Sequence, residues 1–264
     1  MTEPGPETFL PLAERLADVS ADIVRRYFRA DPSALEIEAK ADESPVTIAD
    51  RSAEAAMRAL IEEAHPDHGI LGEEFDFVRT DAEYAWVLDP IDGTKAFVTG
   101  MPVFGTLIAL LREGRPILGI INQPVTHERW VGVAGRRTTL NGRPISTSRT
   151  ARLADAAHYA THPSMFCQGE DWTKVKSLLA EVKSSRYGGD CYAYGLLAAG
   201  FIDLVTEARL KIYDFMALIP VIEGAGGVIT DWNGQQLTGD SDGHVLAAAN
   251  ATCHAAALAH LRRS

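Results

Sequence analysis

Apolar residues at Leu12, Leu16, Val19, Ile23 and Tyr27 recur at spacings of four, three, four and four. That period puts one apolar face on a helix starting near Glu7, and the polar turn at Asp31-Pro32 ends it. Thr47 and Asp50, three apart, resemble a capping box. The helix they open carries Ala53, Ala56, Met57, Leu60, Ile61 and Ala64 on one face and closes at His65-Pro66. Beyond it the period shortens. Compact apolar runs predict strands at 69–72, 84–88, 105–111, 116–121 and 129–133. Asn141-Gly142 marks a turn and a subdomain boundary, dividing the chain into 1–142 and 143–264. In the second part, helices near 172–182, 192–199, 214–225 and 251–262 alternate with strands near 184–187, 202–207 and 228–230. The expected fold class is α/β, with an α+β N-terminal half, an α/β C-terminal half and helices flanking sheets.

Composition narrows the chemistry. A chain of 264 residues buries a sufficient core without disulfides. Its three cysteines, Cys167, Cys191 and Cys253, form no zinc pattern and suit a reducing cytoplasm, the expected location. With 36 acids against 25 bases the net charge is −11, which argues against a nucleic-acid partner, since that affinity rests on Lys and Arg neutralising phosphates. Unbroken apolar runs reach only five residues, as at 107–111, far too short to span a bilayer, so no membrane partner is expected. The opening MTEPGPETF lacks the basic and apolar regions of an export leader.

The segment Trp86-Val87-Leu88-Asp89-Pro90-Ile91-Asp92-Gly93-Thr94 carries the most chemistry. An apolar strand runs into Asp89, and a helix is expected just after Thr94. Two acids three apart at a strand end can converge on one point. Gly93 lets main chain approach a ligand, and the N–H groups of Gly93 and Thr94 at a helix start offer a phosphate seat. Carboxylates repel phosphate, so a divalent cation must sit between them, and such hard oxygen ligands suit Mg²⁺. Asp92 alone also reads as a helix cap and Asp89 as a turn acid. Glu73-Glu74 after the apolar 69–71 run supplies a second acidic pair, and Asp214, again open to a capping role, begins an apolar helix. His158 and His162, four apart, read as a surface helix or loop pair, and Asp240-Ser241-Asp242-Gly243 as a plain turn.

The ordered set Gly72-Glu73-Glu74, WVLDPIDGT and Tyr213-Asp214 before an apolar helix resembles the inositol-monophosphatase family of metal-dependent phosphatases. The N-terminal run from Lys40 through Asp42 to Thr47 and Asp50 matches as well, so the likeness covers about Lys40 to Gly227. The resemblance implies a layered αβαβα sandwich, a homodimer and two Mg²⁺ ions, with a third near Glu73 allowed for. It places Glu73, Asp89 and the carbonyl of Ile91 on one metal, and Asp89, Asp92 and Asp214 on the other. It assigns Glu73 and Thr94 to orienting the attacking water, with Asp50 supporting Thr94, and the phosphate to Asp92, Gly93 and Thr94. Lys40 and Lys95 read equally as neighbours of the carboxylates or as solvated surface charges.

Selectivity is expected from Arg186, Gly189, Asp190, Cys191 and Glu207. Two carboxylates around the leaving group suit a cationic amine, because charge-assisted hydrogen bonds are the stronger kind. The run DPIDGTKAFVTGMPVFGTL with GDCYAY is similar to the branch of the family that hydrolyses histidinol phosphate. The resemblance therefore implies a small phosphate monoester as partner, an amino-alcohol ester first and inositol or sugar phosphate as the alternative. A 3′-phosphoadenosine 5′-phosphate substrate and a non-catalytic binding protein on the same fold stand further off. Asp190 also reads as a helix cap, and Glu207 as the salt-bridge partner of Arg186.

Overall fold

A computed structural model describes residues 5–31, 38–39 and 45–262; Lys40 and Asp42 lie outside them. In chain order the elements are α1 (Leu10–Tyr27), β1 (Glu38–Ala39), β2 (Pro45–Val46), α2 (Ile48–Ala64), β3 (Gly69–Gly72), β4 (Tyr84–Asp92), α3 (Thr94–Val98), β5 (Gly105–Arg112), β6 (Arg115–Gln123) and β7 (Glu128–Val133). They continue with β8 (Thr139–Leu140), β9 (Arg143–Pro144), β10 (Ala157–Ala160), α4 (Asp171–Leu179), β11 (Ser184–Tyr187), α5 (Asp190–Ala198), β12 (Leu204–Glu207), α6 (Ile212–Phe215), α7 (Leu218–Gly224), β13 (Val228–Thr230), β14 (Val245–Ala248) and α8 (Ala251–Leu261).

Two main sheets organise the chain. A seven-stranded sheet runs β3 to β9 in sequence order, and a five-stranded sheet has the order β11-β10-β12-β14-β13. Side-chain alternation along the strands builds the layers. On β4, Trp86 and Leu88 pack with Leu16, Met57 and Ile61 of α1 and α2. Val87, on the opposite face, joins Leu197, Val221 and Ile222 of the central helices α5 and α7. On β12, Val205 enters that same central cluster, whereas Leu204 packs outward with Val175, Leu178 and Ala257 of α4 and α8. The result is the expected αβαβα sandwich. Strands covered on both faces carry near-continuous apolar runs, which is why they read clearly in the sequence.

Several elements depart from their sequence reading. The buried face of α1 is Ala13, Leu16, Ala17, Ser20, Ala21 and Val24, and Leu12, Val19, Ile23 and Tyr27 flank it half-buried. Small residues face the sheet here, and the Ser20 hydroxyl meets that of Thr106 at 2.8 Å. In α2, Ala64 is exposed while Asp50 and Glu54 are buried. Strands β10 and β14 were not expected: β10 carries a histidine, and β14, though apolar, is half alanine, a weak strand former. His158 is accordingly no surface residue. It is buried on β10, its ring nitrogens 2.8 Å from the Ser185 hydroxyl and 2.7 Å from that of Thr206. The helix expected over 214–225 is broken into α6 and α7.

Candidate active site

β4 ends in a bulge. Asp89 pairs with Leu107 and Asp92 with Gly105, so three steps along β4 oppose two along β5. Residues three apart on a regular strand point to opposite faces; the extra residue cancels that and brings both acids to one side. The bulge is held from beneath by the Thr106 hydroxyl, which donates to the Pro90 carbonyl at 2.8 Å. Asp214 arrives from α6, where the Lys211 N–H donates to its Oδ2 at 2.6 Å. Asp89, Asp92 and Asp214 each place a carboxylate oxygen within 4.8 Å of the other two.

The electrostatics are those of anions gathered out of water. Burial, then the charge of Glu73, raises Asp89 well above the carboxylate range, with Asp92 and Asp214 adding to it. Burial and the Asp214 charge lift Asp92 to about 7, and burial foremost lifts Asp214 to about 7. Asp89 is 1% exposed, and its Oδ1 has no hydrogen-bond partner among the described residues. An orphaned, buried carboxylate oxygen among further carboxylates fits a cation, and an all-oxygen set favours a hard one such as Mg²⁺.

The remaining residues take definite places. Glu73 follows β3, its N–H donating to the Leu88 carbonyl at 3.1 Å, and its charge acts on Asp89. Gly93, at φ +86°, is the N-cap of the short α3 and makes no side-chain cap, so Asp92 is not that cap. Asp92 instead accepts the Cys191 N–H on Oδ2 at 2.7 Å. Thr94 donates its hydroxyl to the Ile91 carbonyl at 3.1 Å. Asp50 completes the capping box with Thr47, whose N–H and hydroxyl both approach its Oδ2, at 2.8 and 2.5 Å. Its described hydrogen bonds therefore run to Thr47 rather than to Thr94.

A small cleft of about 20 Å³ adjoins the cluster, lined by Asp92, Thr161, Asp190, Tyr194, Glu207 and Asp214 among others. Gly189 is the N-cap of α5, and Asp190 begins the helix at φ +43° without capping it through its side chain. Asp190 lies over Gly93, with burial first and Asp92 second raising it to about 7, while Lys95 pulls the other way. Glu207 is buried and pushed to about 8 by desolvation, against hydrogen bonds on Oε1 from the Thr161 N–H at 2.8 Å and hydroxyl at 2.9 Å. Its Oε2 and the Tyr194 hydroxyl are buried with no partner among the described residues. Arg186 does not hold Glu207. It is exposed on β11, the edge strand, with β10 between it and β12. Thr161 and Tyr194 went unnoticed in the sequence: Thr161 follows a strand that had no signal, and Tyr194 sits among the apolar residues of α5.

The chain belongs to the inositol monophosphatase family, whose model matches residues 6–264. It is thus a phosphatase, a hydrolase of phosphate esters. The bifunctional chloroplastic phosphatase IMPL2 of Arabidopsis thaliana is 49% identical, over 97% of this chain and 75% of that protein. A histidinol-phosphatase of Mycobacterium tuberculosis is 36% identical over 85% of this chain and 88% of its own length. Among solved structures, an inositol monophosphatase from Zymomonas mobilis superposes with a TM-score of 0.89 at 48% identity, covering 99% of this chain and 100% of that one.

Proposed function

We propose that the protein hydrolyses L-histidinol phosphate to L-histidinol and phosphate with the help of Mg²⁺. The observation that carries this reading is the acidic lining of the cleft beside the cluster: Asp190 and Glu207 face it in addition to Asp92 and Asp214. Glu207 Oε2 is buried there without a partner. A ligand bringing a protonated amine would satisfy that oxygen with a charge-assisted hydrogen bond and relieve the cost of a buried carboxylate. The histidinol-phosphatase relative supports the same substrate.

Glu73, Asp89 and the Ile91 carbonyl would hold one Mg²⁺, and Asp89, Asp92 and Asp214 a second. Bound there, Mg²⁺ supplies a water of lowered pKa and neutralises charge on the phosphoryl and leaving oxygens. Glu73 and the Thr94 hydroxyl orient the attacking water, and the Gly93 and Thr94 N–H groups face the phosphate. A proton passed from Thr94 to Asp50 requires Thr94 to turn its hydroxyl away from the Ile91 carbonyl. Segment 1–142 supplies most of the cation ligands and 143–264 supplies Asp214 and selectivity, the two acting as one unit through the Cys191–Asp92 bond.

One observation favours a second reading. A Glu207 held at about 8 is protonated at neutral pH and can donate to a polyol hydroxyl, which suits inositol or sugar phosphate. Phosphate release from L-histidinol phosphate, with Mg²⁺ and with chelator, tests the proposal. Release that needs Mg²⁺ is expected; no release with Mg²⁺ present contradicts it.

A further inference from the structure

Glu54 is a fully buried carboxylate on α2 that the reaction scheme above leaves unused. It stands one turn beyond Asp50 and meets main chain around Glu73. Its Oε2 accepts the Glu74 N–H at 2.8 Å. On the other side of Glu73, Gly72 lies so close that a Cβ there would overlap Glu54 Oε1. That same Oε1 accepts Arg58 Nε at 2.8 Å. Arg58 then donates from Nη2 to the Phe75 carbonyl at 3.1 Å, with its guanidinium 5.6 Å from the centroid of the Phe75 ring. The residues flanking Glu73 are thus gripped from α2, and Glu73 itself is tied to Leu88, the neighbour of Asp89.

An i, i+4 Glu–Arg pair is commonly a surface feature that adds a few tenths of a kcal/mol to its helix. This one differs because its acid is buried and spends an oxygen on a loop 20 residues away. Burial raises Glu54 against the opposing hydrogen bonds, so the carboxylate is costly where it stands. What the cost secures is geometry. We infer that Glu54, braced by Arg58, is a positioning residue that fixes the 72–75 turn so that the Glu73 carboxylate faces Asp89. The inference rests on the reading of Glu73 as a cation ligand.

Calorimetric titration of the full chain with Mg²⁺, without substrate, tests it on wild type, Glu54→Gln, Glu73→Gln and the double variant. Groups that orient metal ligands typically contribute roughly ten- to a hundredfold in affinity, and Glu54→Gln is expected to weaken Mg²⁺ binding by that factor with native circular dichroism. In the Glu73→Gln background the same change is expected to cost less than twofold, because Glu54 acts through Glu73. Arg58→Lys keeps the charge but loses the fork to Phe75, and is expected to weaken Mg²⁺ binding several-fold if Glu54→Gln fails to fold. Variants that melt earlier yet bind Mg²⁺ within twofold of wild type, or a double variant whose losses add, overturn the inference. Wild-type protein that takes up no Mg²⁺ overturns the cation reading and this inference with it.

Discussion

The N–H of Cys191 donates to Oδ2 of Asp92 at 2.7 Å, and through that bond the start of a helix in the second half of the chain aims a strand-end acid in the first. The bond requires close approach, which brings Asp190 onto Gly93: a Cβ on Gly93 would lie 3.0 Å from both Cβ and Cγ of Asp190.

Gly93→Ala meets two obstacles at once, that approach and a φ of +86°. A non-glycine residue in such a region costs roughly 1–3 kcal/mol, and Asp190 must shift away from the cleft. The expected outcome is a folded protein with kcat/KM lowered about a hundredfold or more, read by phosphate release. Wild-type activity in this variant would show that Asp190 need not sit over Gly93.

Asp89→Asn should abolish turnover and weaken Mg²⁺ binding together, because in the proposed function this carboxylate would hold both ions. Its buried Oδ1 has no hydrogen-bond partner among the described residues and lies in a cluster whose three acids bring carboxylate oxygens within 4.8 Å of one another. Parallel assays of phosphate release and calorimetric Mg²⁺ uptake check this. Retention of both would remove the two-metal site.

Protons and Mg²⁺ should compete for the cluster. In the folded chain without metal, Asp92 and Asp214 stand at about 7, above their ordinary 3.8. Between those values the native state binds more protons than the unfolded one, so stability falls as pH rises toward 7. Mg²⁺ held by these acids would take the place of those protons. Melting curves with chelator and with Mg²⁺ should therefore show a larger Mg²⁺-induced rise in Tm at pH 8 than at pH 5.5. An equal rise at both pH values contradicts the placement of the cation on these acids.

Much of the fold was legible because its layers cover the strands on both faces. β4, β5 and β6 announce themselves as apolar runs, and the Thr47–Asp50 box marks the start of α2. β10 and β14 were missed for different reasons: β10 mixes alanine with histidine and tyrosine, while β14 is a four-residue apolar run, half of it alanine, whose periodicity alone does not mark it as a strand. The acids of the cluster were legible as strand-end and helix-start residues. The bulge between Asp89 and Asp92 was not, since a register shift is a property of two strands and not of one. Glu54 stayed hidden for a similar reason: its sequence spacing to Arg58 is that of an ordinary surface pair, and only the fold carries the 72–75 turn to it.

The most direct test compares kcat/KM for L-histidinol phosphate with that for inositol 1-phosphate, at saturating Mg²⁺. A preference for the amino-alcohol ester of about a hundredfold or more, roughly 2.7 kcal/mol of transition-state discrimination, is the predicted result and places the amine against Asp190 and Glu207. Comparable rates, or a preference for inositol 1-phosphate, would contradict that pairing while leaving the phosphatase chemistry in place.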